Sequence, residues 1–349
     1  GDTSTIYYSL LFLHKGNKRL HPVYFDDPEE PGVDPDPFRD ARLHAQRSLE
    51  FIKSQPLVER YLAEMPGYMS SGFNNAEVLL AHELANLTNR NVVTEVERNL
   101  QDNPNSIMYI LANYGDKLDS KGTLRIVSPY LFIARYYDAD GNVIHDGAVE
   151  LLQWLDEHPD NRVEIVTNSV LTSDNFMTQA MIDLDMGPRL LLTPELEAAW
   201  LSSLREGELN EAVVTGEAWQ KCVNHPQLFI YQTGRLDAAM LGQGSVHYGK
   251  LHAKFFMGHN AGFVGTANFD YRSRLFNNEM GFFYRSDEVQ QELIDIFEDL
   301  KADSNRWGTP EWLEMRKQVM AIKGLKGWST RQQRSIFKFM RTTGLDWLM

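Results

Sequence analysis

The chain has 349 residues, 43% of them apolar and 23% charged, enough to bury a full core as one large or two smaller domains. Its formal charge of 34 − 48 = −14 sets a negative field against nucleic-acid phosphates and against non-specific adsorption to anionic bilayers. No apolar run reaches the roughly 18 residues of a membrane-spanning helix, and Cys222, the sole cysteine, excludes an intrachain disulfide without favouring cytoplasm or periplasm. No secretory pattern opens the chain. Gly1 rather than Met stands first, so the natural start is expected elsewhere and the lack of a targeting segment says little.

In chain order, residues 1–36 read as irregular, with a strand at 7–13 and an acidic, proline-rich loop at 26–37. Residues 38–118 read as helical, with apolar residues at helical spacing over 38–53, 57–65, 75–87 and 91–101. Glu77, His82 and Glu83 fall in this stretch. With no second histidine four residues on from His82, they read as a solvated helix face and not as a zinc set. From residue 124 strands and helices alternate: strands at 124–130, 162–168, 228–232, 251–257, 263–268 and 280–284, helices at 148–158 and 287–302. Residues 175–226 read as a largely helical, mildly acidic insertion, structural by default and with a lid as the alternative. The pattern predicts an α/β fold, a mixed sheet flanked by helices on both faces, behind a mostly helical N-terminal region. The expected domains are 1–123, 124–302 and a basic amphipathic tail, 303–349.

That tail sets Arg316, Lys317, Lys323, Lys326, Arg331, Arg334, Lys338 and Arg341 against Asp346, and interleaves Trp328, Ile336, Phe337, Phe339, Trp347 and Leu348. Such a pattern suits either a helix lying on an anionic membrane or one that packs its aromatics and leaves its lysines in water.

The chemistry concentrates at 251–268. On a strand over 251–257, His252, Lys254 and Phe256 would share one face, and Leu251, Ala253, Phe255 and Met257 the buried other. Gly258-His259-Asn260-Ala261-Gly262 reads as a turn whose glycines tolerate positive φ, and the returning strand carries Thr266 and Asn268 on one face. An imidazole, a fixed cation, a hydroxyl and a carboxamide would then converge on one small volume. That set suits a phosphoryl group: Lys254 neutralises a non-bridging oxygen, Asn268 and Thr266 donate hydrogen bonds, and His252 attacks phosphorus or moves a proton. It calls for no metal and no cofactor. His-x-Lys alone is usually a chance surface pattern; Gly265-Thr266-Ala267-Asn268 at this distance favours function.

These residues resemble the HxK…G(S/T)xN half-motif of the phospholipase D superfamily, the HKD family. Gly265-Thr266-Ala267-Asn268-Phe269-Asp270-Tyr271-Arg272-Ser273 resembles its GTANFDxRS run, and Asn278-Glu279 the acidic position that follows. Ser128-Pro129-Tyr130 resembles the strand end that enters the site. Val166-Thr167-Asn168-Ser169 with Ser173-Asp174 resembles a segment of bacterial cardiolipin synthase-like members. The likeness runs over about residues 124 to 300. In two places the chain departs from the pattern. His259 stands where the family usually has Asp, in a turn one residue shorter, which implies altered turn geometry and retained chemistry. The family usually builds one site from two such motifs, whereas His14, His21, His44, His82, His145, His158, His225, His247 and His259 all lie outside any His-x-Lys.

The resemblance implies a phospholipase D-like fold and ping-pong phosphodiester chemistry through a phosphohistidine. His252 would be the acid–base histidine, Lys254 and Asn268 the phosphate holders, and Glu279 the carboxylate supporting a histidine. Thr266, Tyr130 and Ser273 would contact substrate. The nucleophile would come from an earlier segment of the polypeptide, with 38–118 as the tail of a first repeat, or from a second copy, unless the partner half is degenerate. The implied substrate is a phospholipid headgroup, transferred as in cardiolipin synthesis or hydrolysed, at an anionic membrane surface. The location would be peripheral to a membrane or periplasmic or secreted, with no nucleic acid expected. A nuclease of the same superfamily and a non-catalytic scaffold are the competing readings.

Overall fold

A computed structural model describes residues 46–47, 49–71, 74–83, 102–114, 122–137, 142–173, 175–202, 211–234, 251–270, 272–273, 277–343 and 345. The strand expected at 7–13, the loop at 26–37, the helix at 91–101 and residues Asp174, Tyr271, Asp346, Trp347 and Leu348 lie outside them. Contacts divide the chain into two units, 1–74 and 75–349. In the first, helix α1 (Pro56–Ser70) begins on a proline, whose missing N–H costs nothing in a first turn, and leaves Tyr61, Leu62 and Met65 exposed.

The second unit is built on an eight-stranded mixed sheet. In chain order its elements are β1 (Glu77–His82), α2 (Ile107–Tyr114), β2 (Thr123–Val127), β3 (Arg135–Tyr137), β4 (Val143–Asp146), α3 (Gly147–Glu157) and β5 (Arg162–Thr167). There follow α4 (Phe176–Met181), a π-helical turn (Ile182–Met186), α5 (Gly187–Leu191), α6 (Pro194–Leu201), α7 (Glu211–Val214), α8 (Glu217–Val223) and β6 (Leu228–Thr233). The chain continues through β7 (Phe255–Met257), β8 (Ala261–Gly265), β9 (Met280–Arg285), α9 (Asp287–Ala302), β10 (Ser304–Arg306), α10 (Pro310–Ala321), α11 (Leu325–Arg331) and α12 (Gln333–Thr343). The sheet order is β1-β9-β8-β7-β2-β5-β6-β10. β2, β5 and β6 run parallel, and the remaining pairs are antiparallel. β3 and β4 form a separate ribbon.

The strands at the centre are apolar on both faces because helices cover both. Val163, Ile165, Leu228 and Ile230 pack in one cluster with the helical insertion, and Phe256, Phe263 and Phe283 in another beside Ile107 and Ile110 of α2. On the opposite face Val127, Val166, Phe255 and Met257 bury Phe297 of α9. The α/β mixed sheet with helices on both faces is therefore present.

Within the range 75–87 expected to be helical, Glu77–His82 forms a strand instead. Val78, Leu79, Leu80 and Ala81 form a short apolar run, which periodicity alone assigns poorly. Pairing with β9, from Glu77↔Arg285 to His82↔Met280, settles it, and Ala81 is buried against Phe263 and Phe283. The sheet thus begins well before residue 123.

The insertion is bolted down. Trp200, Trp219, Trp307 and Trp312 are fully buried, with ring centroids 5.2–5.9 Å apart, and join it to β10 and α10. The π-helical turn buries two carboxylates. Asp185 pairs with Arg189 and Arg341, and Asp183 with Arg316. Several basic residues of the tail are therefore engaged by the fold: Lys317 also pairs with Glu211 at the surface, and Arg334 lies over Trp200, while Lys323 and Lys338 are exposed.

Candidate active site

The proposed site gathers at the carboxyl ends of the parallel strands β2 and β5, where open α/β sheets characteristically place ligands. After Val127 the chain turns into Ser128-Pro129-Tyr130. Proline cannot extend a ladder, and the β2–β7 pairing stops at Val127↔Phe255. The segment entering β7 is consequently held by side chains. One carboxamide does most of it: Asn168 Nδ2 donates to the carbonyls of Pro129 (3.1 Å) and Leu251 (3.2 Å), while its Oδ1 accepts from Leu251 N–H (3.2 Å). Both backbone groups of the residue before His252 are thus fixed by a side chain at the end of β5. Ser128 secures the other edge, donating to Tyr130 O (2.6 Å) and accepting from Phe269 N–H (3.1 Å).

Residues 251–254 are accordingly irregular and do not follow the alternation expected of a strand. His252 and Ala253 are exposed, Leu251 and Lys254 buried, and Phe255, Phe256 and Met257 all buried. Lys254 folds back, Nζ donating to the carbonyl of His252 at 2.7 Å. The cation and the imidazole are therefore coupled through the backbone and not by sharing a strand face. The turn glycines also differ from expectation. Among the described residues, positive φ occurs at Gly122, Gly308 and Gly324. Gly262 is needed instead for close approach, since a Cβ there would run into the Phe256 carbonyl and the Tyr284 hydroxyl.

β8 leads into Thr266 and Asn268, and Thr266 lies against Glu279, which precedes β9. The buried Glu279 carboxylate accepts from Thr266 Oγ1 (2.5 Å), Ser273 Oγ (3.1 Å) and Asn277 Nδ2 (3.1 Å), as a carboxylate removed from water requires. The protons of Thr266 and Ser273 are directed at Glu279, so these hydroxyls hold the carboxylate. Asp270 Oδ1 accepts from Ser273 N–H (2.7 Å). Asn268 is half-buried, and its Oδ1, fully shielded from solvent, accepts no hydrogen bond. Tyr130 packs on the cluster of Phe132, Met181, Met186 and Met340.

Glu83 was expected on a solvated helix face and is instead 1% exposed. It continues the β1–β9 ladder, its N–H donating to Glu279 O at 2.9 Å, which sets it opposite Glu279. Its carboxyl accepts from Asn103 Nδ2 (3.1 Å) and from Ile107 N–H (3.0 Å) at the first turn of α2. Burial pushes its pKa up to about 7 against the lowering by these two hydrogen bonds, and the Glu279 charge adds to the rise. The signal in the sequence was the apolar run just before it, legible only once that run is taken as a strand. Glu83, Asn268 and Ser273 all line a cavity of about 240 Å³ between α2 and the sheet.

No family model matches the chain, and no curated protein does. Among solved structures the chain is similar to NucT from Helicobacter pylori, at 11% identity over 66% of this chain and 98% of that one, TM-score 0.34. It is similar to phosphatidylserine synthase from Haemophilus influenzae Rd KW20, at 13% identity over 79% of this chain and 48% of that one, TM-score 0.40. It is also similar to Nuc from Salmonella typhimurium, a phospholipase D family member, at 10% identity over 67% and 99%, TM-score 0.30. Likenesses this distant bear on neither substrate nor activity, which must be argued from the residues.

Proposed function

We propose that the chain is a phospholipase D-like phosphodiester-cleaving enzyme that acts on phospholipid headgroups. The observation that carries this reading is an exposed His252 and a buried Lys254 on the segment clamped by Asn168, with the Lys254 carbonyl accepting from Gly265 N–H, one residue before the Thr266–Glu279 hydrogen bond. In the proposed reaction a histidine of a complementary half-site, from another segment of the polypeptide or a second copy, attacks phosphorus. A P–N bond forms, the P–O bond to the headgroup breaks, and His252 gives its proton to the leaving alkoxide. Water or an alcohol then loses a proton to His252, and its oxygen replaces the histidine. Lys254 and Asn268 would offset the charge on the non-bridging oxygens. The residues around Asn168-Ser169 incline the reading toward the phosphatidyltransferase, cardiolipin synthase-like branch.

The test is turnover of phosphatidylglycerol, phosphatidylcholine and single-stranded DNA in separate incubations. His252→Ala should lower headgroup release or transfer by roughly 10²–10⁴-fold with unfolding unchanged. Lipid turnover equal to the unsubstituted protein's would remove the assignment, and cleavage of DNA alone would move the substrate to nucleic acid.

Membrane contact would fall to Ile322, Leu325 and Trp328, exposed at three-residue spacing and flanked by Lys323. Among the described residues no helix is long and apolar enough to cross a membrane. Leu325→Ser with Trp328→Ala should reduce co-sedimentation with phosphatidylglycerol vesicles, and unchanged binding would discard this face.

A further inference from the structure

The cavity between α2 and the sheet is walled by Ile107, Leu111, Phe132, Phe256, Phe263 and Phe269, with Asn268 and Ser273 in the same lining. At about 240 Å³ it exceeds the ~150 Å³ apolar cavity that takes a benzene ring. Well-packed interiors keep few voids larger than a water molecule, and an apolar one is poorly suited to water. The wall is also continuous with the chemistry, since Phe256 follows Lys254 by two residues and Ala267, Asn268 and Phe269 are consecutive. Asn268, whose shielded Oδ1 accepts no hydrogen bond, is one of the few polar groups in this lining.

We propose that this cavity binds a hydrocarbon chain of the substrate beside its phosphodiester, with Asn268 at the junction of the polar and apolar parts. The assignment rests on the phosphodiesterase reading above and adds to it the part of the substrate that the enzyme measures. Methylenes suit a wall with no polar group beyond Asn268, Ser273, Glu83 and His145. A nucleobase would need donors and acceptors around its whole edge, and the formal charge of −14 disfavours the polyanion that carries it.

Leu111→Trp narrows the cavity from α2, and Met108→Trp does so from a second position in case the first disturbs folding. The substrates are dioctanoyl-phosphatidylglycerol and bis(p-nitrophenyl) phosphate, a phosphodiester with no chain. Either variant should lower kcat/KM on the lipid by roughly tenfold or more, the loss expected when two or more methylenes stay in water. Hydrolysis of the chainless ester should stay within about twofold, as for a change that spares the reacting groups. Equal losses on both substrates, no loss on either, or a loss confined to single-stranded DNA would overturn the assignment. Decyl phosphate, which is not a phosphodiester, separates the two ideas. It should raise the Tm of the unsubstituted protein and not that of the variants, even if neither substrate turns over. Turnover failing while this shift persists sinks the enzymatic reading alone; a shift equal in all three proteins sinks the cavity assignment.

Discussion

Two buried carboxylates lie in opposite settings. Asp183, on the π-helical turn, receives four donors: Gln179 and Gln232 on one oxygen, Arg316 and Gln333 on the other. Its guanidinium partner is as buried as it is, and Gln232 is itself held by Trp312 of the tryptophan cluster. Glu83, at the end of β1, receives two donors and faces the carboxylate of Glu279. The first setting compensates a charge completely and fixes one arrangement. The second leaves a charge under tension at the edge of a cavity. The fold thus keeps its fullest charge compensation in the helices around the π-helical turn, and leaves Glu83, on the cavity lining, with fewer donors and a like charge opposite.

The largest effect on stability is expected where compensation is fullest. Asp183→Ala would strand Arg316 without its counter-charge in a site closed to water, a loss of about 3–5 kcal/mol. Urea denaturation should show this as a lowered midpoint, while the folded fraction keeps its hydrolysis of bis(p-nitrophenyl) phosphate. The contrast with His252→Ala is the point: there activity falls and the midpoint holds. An Asp183→Ala protein with an unchanged midpoint would mean that the network around the π-helical turn contributes no net stability.

These regions are unequally legible in the sequence, for physical reasons. The strands from 124 onward were legible because apolar runs between turn residues mark buried strands, and observed strands lie at β2, β5, β6, β7, β8 and β9. The strand β1 was not, because its apolar residues are consecutive and the deciding term is pairing with a segment some 200 residues away. Glu83 was lost with it. His252, Lys254, Asn268 and Glu279 are candidates that motif and spacing alone single out. The support could not: Asn168 carried a family likeness in the sequence, whereas in the fold its amide clamps both backbone groups of Leu251. The tail shows the same limit in reverse. Its basic residues look free in sequence, yet Arg316, Lys317 and Arg341 are taken by acidic partners from the insertion.

A smaller effect, visible in one pH range, should come from Glu83. Its folded pKa of about 7 lies above the ordinary value of 4.5, so between these the folded protein holds a proton that the unfolded chain has released. Stability must therefore decline as pH rises from about 4.5 through 7 and then level off, by at most about 3 kcal/mol for this group. Glu83→Gln removes the ionisation while its carbonyl oxygen still accepts from Ile107 N–H. The variant should match the unsubstituted protein near pH 5, where Glu83 is protonated in the fold, and exceed it at pH 8. Urea midpoints taken from pH 5 to 8 give the answer: curves that converge at low pH and separate above 7 are expected. Curves parallel throughout would mean that Glu83 ionises in the fold as it does in water, and the contrast with Asp183 would reduce to a difference in the number of donors.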